Sequence, residues 1–156
     1  MTTTEIHTEA LAETVLQASC VLKAKPDRVY DAWTKPEQFA SWFSASPEMK
    51  CDLPEFDCQV GGKYRFSMVS PDGTKYTGFG RYLELDRPRR ISFTWQWEES
   101  NTEKGESQVT IDLSPEGEGT RLVLTHEKLA STESRELHSE GWTGCLSRLV
   151  TYFDIQ

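Results

Sequence analysis

From Cys51 to His126 the apolar residues recur at every second position, and that period limits the folds open to the chain. Tyr64, Phe66 and Met68 share one face, Ile91, Phe93, Trp95 and Trp97 another, and Leu122, Leu124 and His126 a third. A period of two marks strands with one buried side. Gly61-Gly62, the stretch SPDGT (70–74) and the stretch SPEGEG (114–119) break the pattern where hairpin turns belong. Pro54 cannot donate to a ladder, so CDLPEFDCQV (51–60) is expected as an irregular strand. The two glycines of GFG (78–80) are expected to mark a bulge or sharp bend. EESNTEKGES (98–107) is expected as a mobile, solvated hairpin loop. An antiparallel sheet with so aromatic a face needs a cover.

The cover must come from the flanks. TVLQASCVLKA (14–24) alternates as a half-buried strand, with Leu16, Ala18, Cys20 and Leu22 on one side. Two short helices follow, each opened by a proline and an acidic residue, Pro26-Asp27 and Pro36-Glu37. Val29, Ala32 and Trp33 form the apolar face of the first; Phe39, Trp42 and Phe43 form that of the second. From roughly Ser131 the period returns to that of a helix. Trp142, Leu146, Leu149 and Phe153 make one stripe, which His138 extends by a turn. Gly141 and Gly144 interrupt this closing helix at a cost of about 1 kcal/mol each relative to alanine. They leave room for the Trp142 indole, for a strand to approach, or for a ligand. The fold class is therefore α+β, a curved antiparallel sheet of about six to seven strands around one long C-terminal helix.

Its length, 156 residues, suits one domain, here 14–156, behind a flexible, polar segment 1–13. Seventeen Lys and Arg against twenty-five Asp and Glu leave a net charge of −8, which argues against nucleic acid and anionic membranes as partners. RPRR (87–90) is a short basic run. No apolar stretch is long enough to span a bilayer, and the N-terminus lacks a signal-peptide pattern, so a cytoplasmic location is expected. Cys20, Cys51, Cys58 and Cys145 match no zinc module and are expected as reduced thiols. No metal or cofactor is expected.

VYDAWTKPEQFASWF, GGKYRF, GRYLELDRPRRISFTW and HSEGWTGCLSRLVTYF, in that order and spacing, resemble the activator of heat-shock-protein-90 ATPase homologue-like family. That family belongs to the START-like (SRPBCC) superfamily, with the birch pollen allergen and lipid-transfer domains. The resemblance covers about residues 15–153. It implies a helix-grip fold, with two short helices after the first strand and an apolar cavity between sheet and helix. The eukaryotic co-chaperones that give the family its name carry a further N-terminal domain. Only about thirteen polar residues precede the first strand here, so direct chaperone activation is not the expected role.

The candidate pocket walls are Trp33, Trp42, Phe66, Trp95, Trp97, Trp142 and Leu146, with His126 and His138 as polar contacts. Any one of these aromatics serves equally as plain core. Either histidine serves equally as a hydrogen-bonded group at a core edge, or as an acid–base group if it faces the pocket. No nucleophile–base–orienter set is spaced in the chain, so catalytic residues are not assigned. The expected function is binding of a small apolar or aromatic molecule. The alternatives are a stress-related, co-chaperone-type protein interaction and a pocket enzyme of cyclase or hydrolase kind. An exposed edge strand would permit a homodimer.

Overall fold

The computed structural model describes residues 5–98 and 105–154. Eight strands and three helices follow in the order β1 (His7–Ala12), β2 (Val15–Leu22), α1 (Pro26–Thr34), α2 (Pro36–Trp42), β3 (Lys50–Phe56), β4 (Lys63–Val69), β5 (Lys75–Asp86), β6 (Arg90–Trp97), β7 (Ser107–Glu116), β8 (Gly119–Glu127) and α3 (Thr132–Asp154). The strands form a single antiparallel sheet in the order β1-β2-β8-β7-β6-β5-β4-β3. The sheet curves around α3, while α1 and α2 close one end. This is the α+β helix grip.

The short helices are separated by one residue. Lys35 ends α1 and begins α2 in an extended conformation (φ −100°, ψ 124°), as a residue before proline prefers. Val29, Ala32 and Trp33 of α1, and Phe39 and Trp42 of α2, are buried as their spacing predicts. The irregular strand is β3, whose register against β4 shifts between Asp52 and Glu55, around Pro54. In the 70–74 turn Asp72 Oδ1 accepts from the Ser70 hydroxyl and the Thr74 amide, and Gly73 takes a positive φ of 89°. Leu16, Ala18, Cys20 and Leu22 line the inner face of β2 as expected.

Two expectations change. Residues 7–12, assigned to a flexible segment, pair with β2 as an edge strand; residues 1–4 lie outside the described residues. All six residues of β1 are exposed, so backbone pairing holds the strand and no alternation announces it. It raises the strand count to eight and places the two helices after the second strand. Next, the bulge in β5 falls between Tyr82 and Glu84 and not at GFG. Gly78 serves packing instead. A Cβ there would lie 2.5 Å from the Phe66 ring, so the missing side chain makes room for that ring. The loop expected to be mobile lies mostly outside the described residues, at 99–104.

The exposed charges settle onto each other. Arg87 pairs with Asp31 and Asp27, Arg89 with Asp86, and Arg90 with Glu84 and Asp112, so the RPRR run is spent on neighbouring carboxylates. Among the described residues no helix is long and apolar enough to cross a membrane. The four cysteines are free thiols.

Candidate functional site

Ser131 caps α3 by accepting the Ser134 amide on its side chain, 3.0 Å away. The stripe then runs inward along the helix. Trp142, Leu146, Leu149 and Phe153 are all buried against the sheet, and His138 is half-buried one turn before Trp142. The two glycines beside Trp142 turn out to do different things. A Cβ on Gly144 would sit 2.0 Å from the Ala45 carbonyl oxygen, so α3 is pressed there against the segment after α2. Arg148 fastens the same segment by donating to the Ser44 hydroxyl and, at 3.1 Å, to the Ser46 carbonyl. A Cβ on Gly141 would meet nothing within 4 Å.

The open space beside Gly141 belongs to a cavity of about 720 Å³. Its walls come from α3 (Leu137, His138, Gly141, Trp142, Cys145), β6 and the residue after it (Trp95, Trp97, Glu98), β4 and β5 (Met68, Lys75, Tyr76, Thr77), and the chain just after α2 (Phe43, Ala45). Trp95 is the central wall residue. Its ring lies 5.0 Å from Trp142 and 5.4 Å from Trp97, the latter edge-on at 89°.

Of the expected site residues, Trp95, Trp97, His138 and Trp142 line this cavity. The other five stand behind it. Phe66 is fully buried, 5.2 Å from Trp95 and 5.9 Å from Trp97, and supports both. Leu146 is buried core under the sheet. Trp42 donates its indole N–H to the Ala32 carbonyl at 2.9 Å and packs edge-on to Trp33 at 4.8 Å. Trp33 faces a residual gap of about 10 Å³ at the helix-closed end. His126 lies behind Trp142. Sequence pattern missed Phe43, Met68, Tyr76 and Leu137 as lining residues. Tyr76 pairs with Met68 across the 70–74 hairpin, so its inward orientation was available from the register.

Both histidines are held by tryptophans. Trp97 donates its N–H to His138 Nε2 at 2.9 Å, and Trp142 donates to His126 Nδ1 at 3.0 Å. An indole nitrogen donates and never accepts, so each receiving ring nitrogen carries a lone pair and no proton. The proton of His138 is therefore on Nδ1, which donates to the Ser134 carbonyl at 2.8 Å. That of His126 is on Nε2, which donates to the Ser107 hydroxyl at 2.7 Å; Ser107 in turn donates its own proton to the Trp95 carbonyl at 3.0 Å. The imidazoles meet edge to face, 4.8 Å apart. Burial first, and the neighbouring His138 second, hold the His126 pKa well below the usual histidine value. Both nitrogens of each ring are engaged, and His126 is uncharged. Burial pushes the Cys145 thiol up to about 12, so it too stays uncharged.

The tryptophans offer an apolar guest a wall, and both ring nitrogens of each histidine are already hydrogen-bonded. His126 and Ser107 do not form a nucleophilic pair, because the hydroxyl accepts from the imidazole. Among the described residues no group of three or more His, Cys, Asp or Glu side chains is placed to hold a metal ion.

Comparison with known proteins agrees with this architecture. The family described as Activator of Hsp90 ATPase homolog 1-like protein matches over residues 23–154. A crystal structure of a Chromobacterium violaceum protein is 30% identical, with a TM-score of 0.82 over 90% of this chain and 96% of that one. The AHSA1 protein from Silicibacter pomeroyi, 23% identical, superposes with a TM-score of 0.79 over 90% of this chain and 98% of that one. CalU16 from Micromonospora echinospora, 24% identical, has a TM-score of 0.67, covering 97% and 87%. The last two similarities bear on the fold alone. A search of curated proteins found no match.

Proposed function

The chain belongs to the Activator of Hsp90 ATPase homolog 1-like family, within which the START-like fold commonly binds ligands, and we propose that it binds a small apolar or aromatic molecule between the sheet and α3. The observation that carries this reading is the 720 Å³ cavity walled by Trp95, Trp97 and Trp142. Pockets for small ligands commonly measure ~300–1,000 Å³. A closed, dry void of this size would cost about 17 kcal/mol at ~24 cal/mol per Å³, more than the ~5–15 kcal/mol that stabilises a whole domain. The space is therefore filled, by water or by a guest. Displacing water from aromatic walls is favourable for an apolar guest.

The hydrogen bonding favours a carrier or sensor over an acid–base enzyme. Each histidine would have to break a bond to tryptophan before taking a proton from a substrate. The test is titration with the uncharged fluorophore N-phenyl-1-naphthylamine, whose emission rises in apolar surroundings. Saturable binding is expected, and Gly141→Phe, which fills the notch, should weaken it at least about tenfold. A folded protein that gives no saturable signal would sink the reading.

A further inference from the structure

We propose that the guest of this cavity is an acid: an apolar, aromatic body that enters, and one carboxylate that stays at the rim, held by Lys75 and Tyr76. The inference rests on the binding function above and adds the polar end of its ligand. The wall of the cavity is graded. Its buried part is apolar, with Met68, Trp95 and Trp142. Its exposed part is polar, with Lys75, Tyr76 and Glu98. A guest matched to this gradient is apolar at one end and polar at the other.

The groups along the wall decide the sign of that polar end. Glu98 is neutralised by Arg65 at 2.5 Å, and the Thr77 hydroxyl is shared with that of Ser67 at 2.7 Å. The Trp97 N–H is given to His138. The Trp95 N–H has no partner, but its nitrogen is fully buried, out of a guest's reach. That leaves Lys75 and Tyr76. Among the described residues Lys75 makes no ion pair and the Tyr76 hydroxyl makes no hydrogen bond. The two are consecutive at the start of β5, beside the 70–74 turn. Tyr76 stands opposite the buried Met68 and is 49% exposed, so it belongs to the wall and reaches the opening. Lys75 lies next to it at the lip, where its flexible stem lets the ammonium swing over a head group. One positive charge and a hydroxyl donor complement a singly charged carboxylate. At the rim that carboxylate keeps part of its water and escapes the penalty of full burial. An ammonium there would meet an unpaired cation and no free counter-charge. The chain's net charge of −8 acts at longer range, and salt screens it beyond ~8 Å.

Three probes on one ring system test this: 2-naphthoate, its isosteric amide 2-naphthamide, and 2-naphthylmethylammonium, titrated calorimetrically into the full chain at pH 7.5 and low salt. 2-Naphthoate should bind at least about fivefold more tightly than the amide, and by more than that over the ammonium. Lys75→Met keeps the apolar stem and removes the charge, and should bring the naphthoate-to-amide ratio down to about one. Tyr76→Phe removes only the hydroxyl and should weaken 2-naphthoate about threefold. Both residues are exposed, so both variants should fold. An amide or ammonium that binds as tightly as 2-naphthoate overturns the inference and leaves the binding function standing. So does a variant of either residue that binds 2-naphthoate as the native chain does, because the head group would then sit elsewhere. Binding of N-phenyl-1-naphthylamine with none of the three probes also overturns the inference alone. If none of the four binds, the binding function fails and the inference falls with it.

Discussion

The two ends of the space under the sheet are built from the same kinds of side chain, yet one is solid and the other hollow. At the helix-closed end Trp33, Phe39, Phe43, Tyr64, Tyr82 and Phe93 pack down to a gap of about 10 Å³. At the other end Trp95, Trp97 and Trp142 surround about 720 Å³. Aromatic content does not separate them; the number of elements that converge does. Trp33 comes from α1, Phe39 and Trp42 from α2, and all three rings interlock at 4.8–6.2 Å. Against β4, β5 and β6 the hollow end sets a single helix, α3, and the chain just after α2. The boundary runs between two glycines. At Gly144 the helix touches the chain after α2; one turn earlier, at Gly141, it touches nothing.

The largest expected effect tests the solid end. Trp42→Ala removes a fully buried indole and its bond to Ala32, and should cost about 4 kcal/mol in urea unfolding. Gly144→Ala drives a methyl group into the Ala45 backbone carbonyl, which cannot step aside as a side-chain end would, and should cost about 2 kcal/mol or more. Trp97→Ala, at the hollow end, should cost less than half as much as Trp42→Ala, because its half-exposed ring borders space on one side. Equal costs for the two tryptophans would erase the distinction between the ends.

A second prediction concerns the seam, where His126 touches Trp95 and Trp142. In the folded chain its pKa is depressed by burial and by His138, whereas in the unfolded chain it lies near ~6.5. Above that value the ring is neutral in both states and its contribution is whole. As the pH falls below ~6.5 the unfolded state takes the proton first, so stability should drop by up to about 1.4 kcal/mol per pH unit from this group. His126→Asn keeps an acceptor for Trp142 and removes the titration. Unfolding free energies at pH 7.5, 6.5 and 5.5 should therefore fall more steeply in the native protein than in the variant. Matching slopes would mean that His126 is accessible and the seam is not dry.

What the sequence revealed follows the same division. The solid end was legible because proline, an acidic residue and a three-four apolar spacing specify α1 and α2 locally. The stripe on α3 and the inner face of β2 were legible for the same reason. Pattern also chose the inward face for Trp95 and Trp97 by alternation and for Trp142 by helical spacing. It could not decide which inward residues meet a cavity. Phe66 and Trp97 face the same way, but Phe66 is accommodated by the absence of a side chain at Gly78, a relation between two strands. Leu137 precedes the His138–Trp142 stripe by one residue, and Tyr76 stands beside the 70–74 turn; both are about half exposed. β1 left no trace, because an edge strand held through its backbone needs no apolar rhythm.

The smallest expected effect is the sharpest test of the hollow end. Gly141→Ala places a methyl group where no atom lies within 4 Å, so nothing has to move. Helix propensity then acts undisturbed, and the variant should be more stable by about 0.8–1 kcal/mol. On the proposed binding function, Gly141 leaves room for the guest that enters the notch. Binding of N-phenyl-1-naphthylamine should weaken as the methyl group takes up part of that space, while the far-UV spectrum stays unchanged. A variant that gains stability and binds as before would leave Gly141 without a role at the cavity. A variant that loses stability would mean that the helix already meets a neighbour there, and that the end is not hollow.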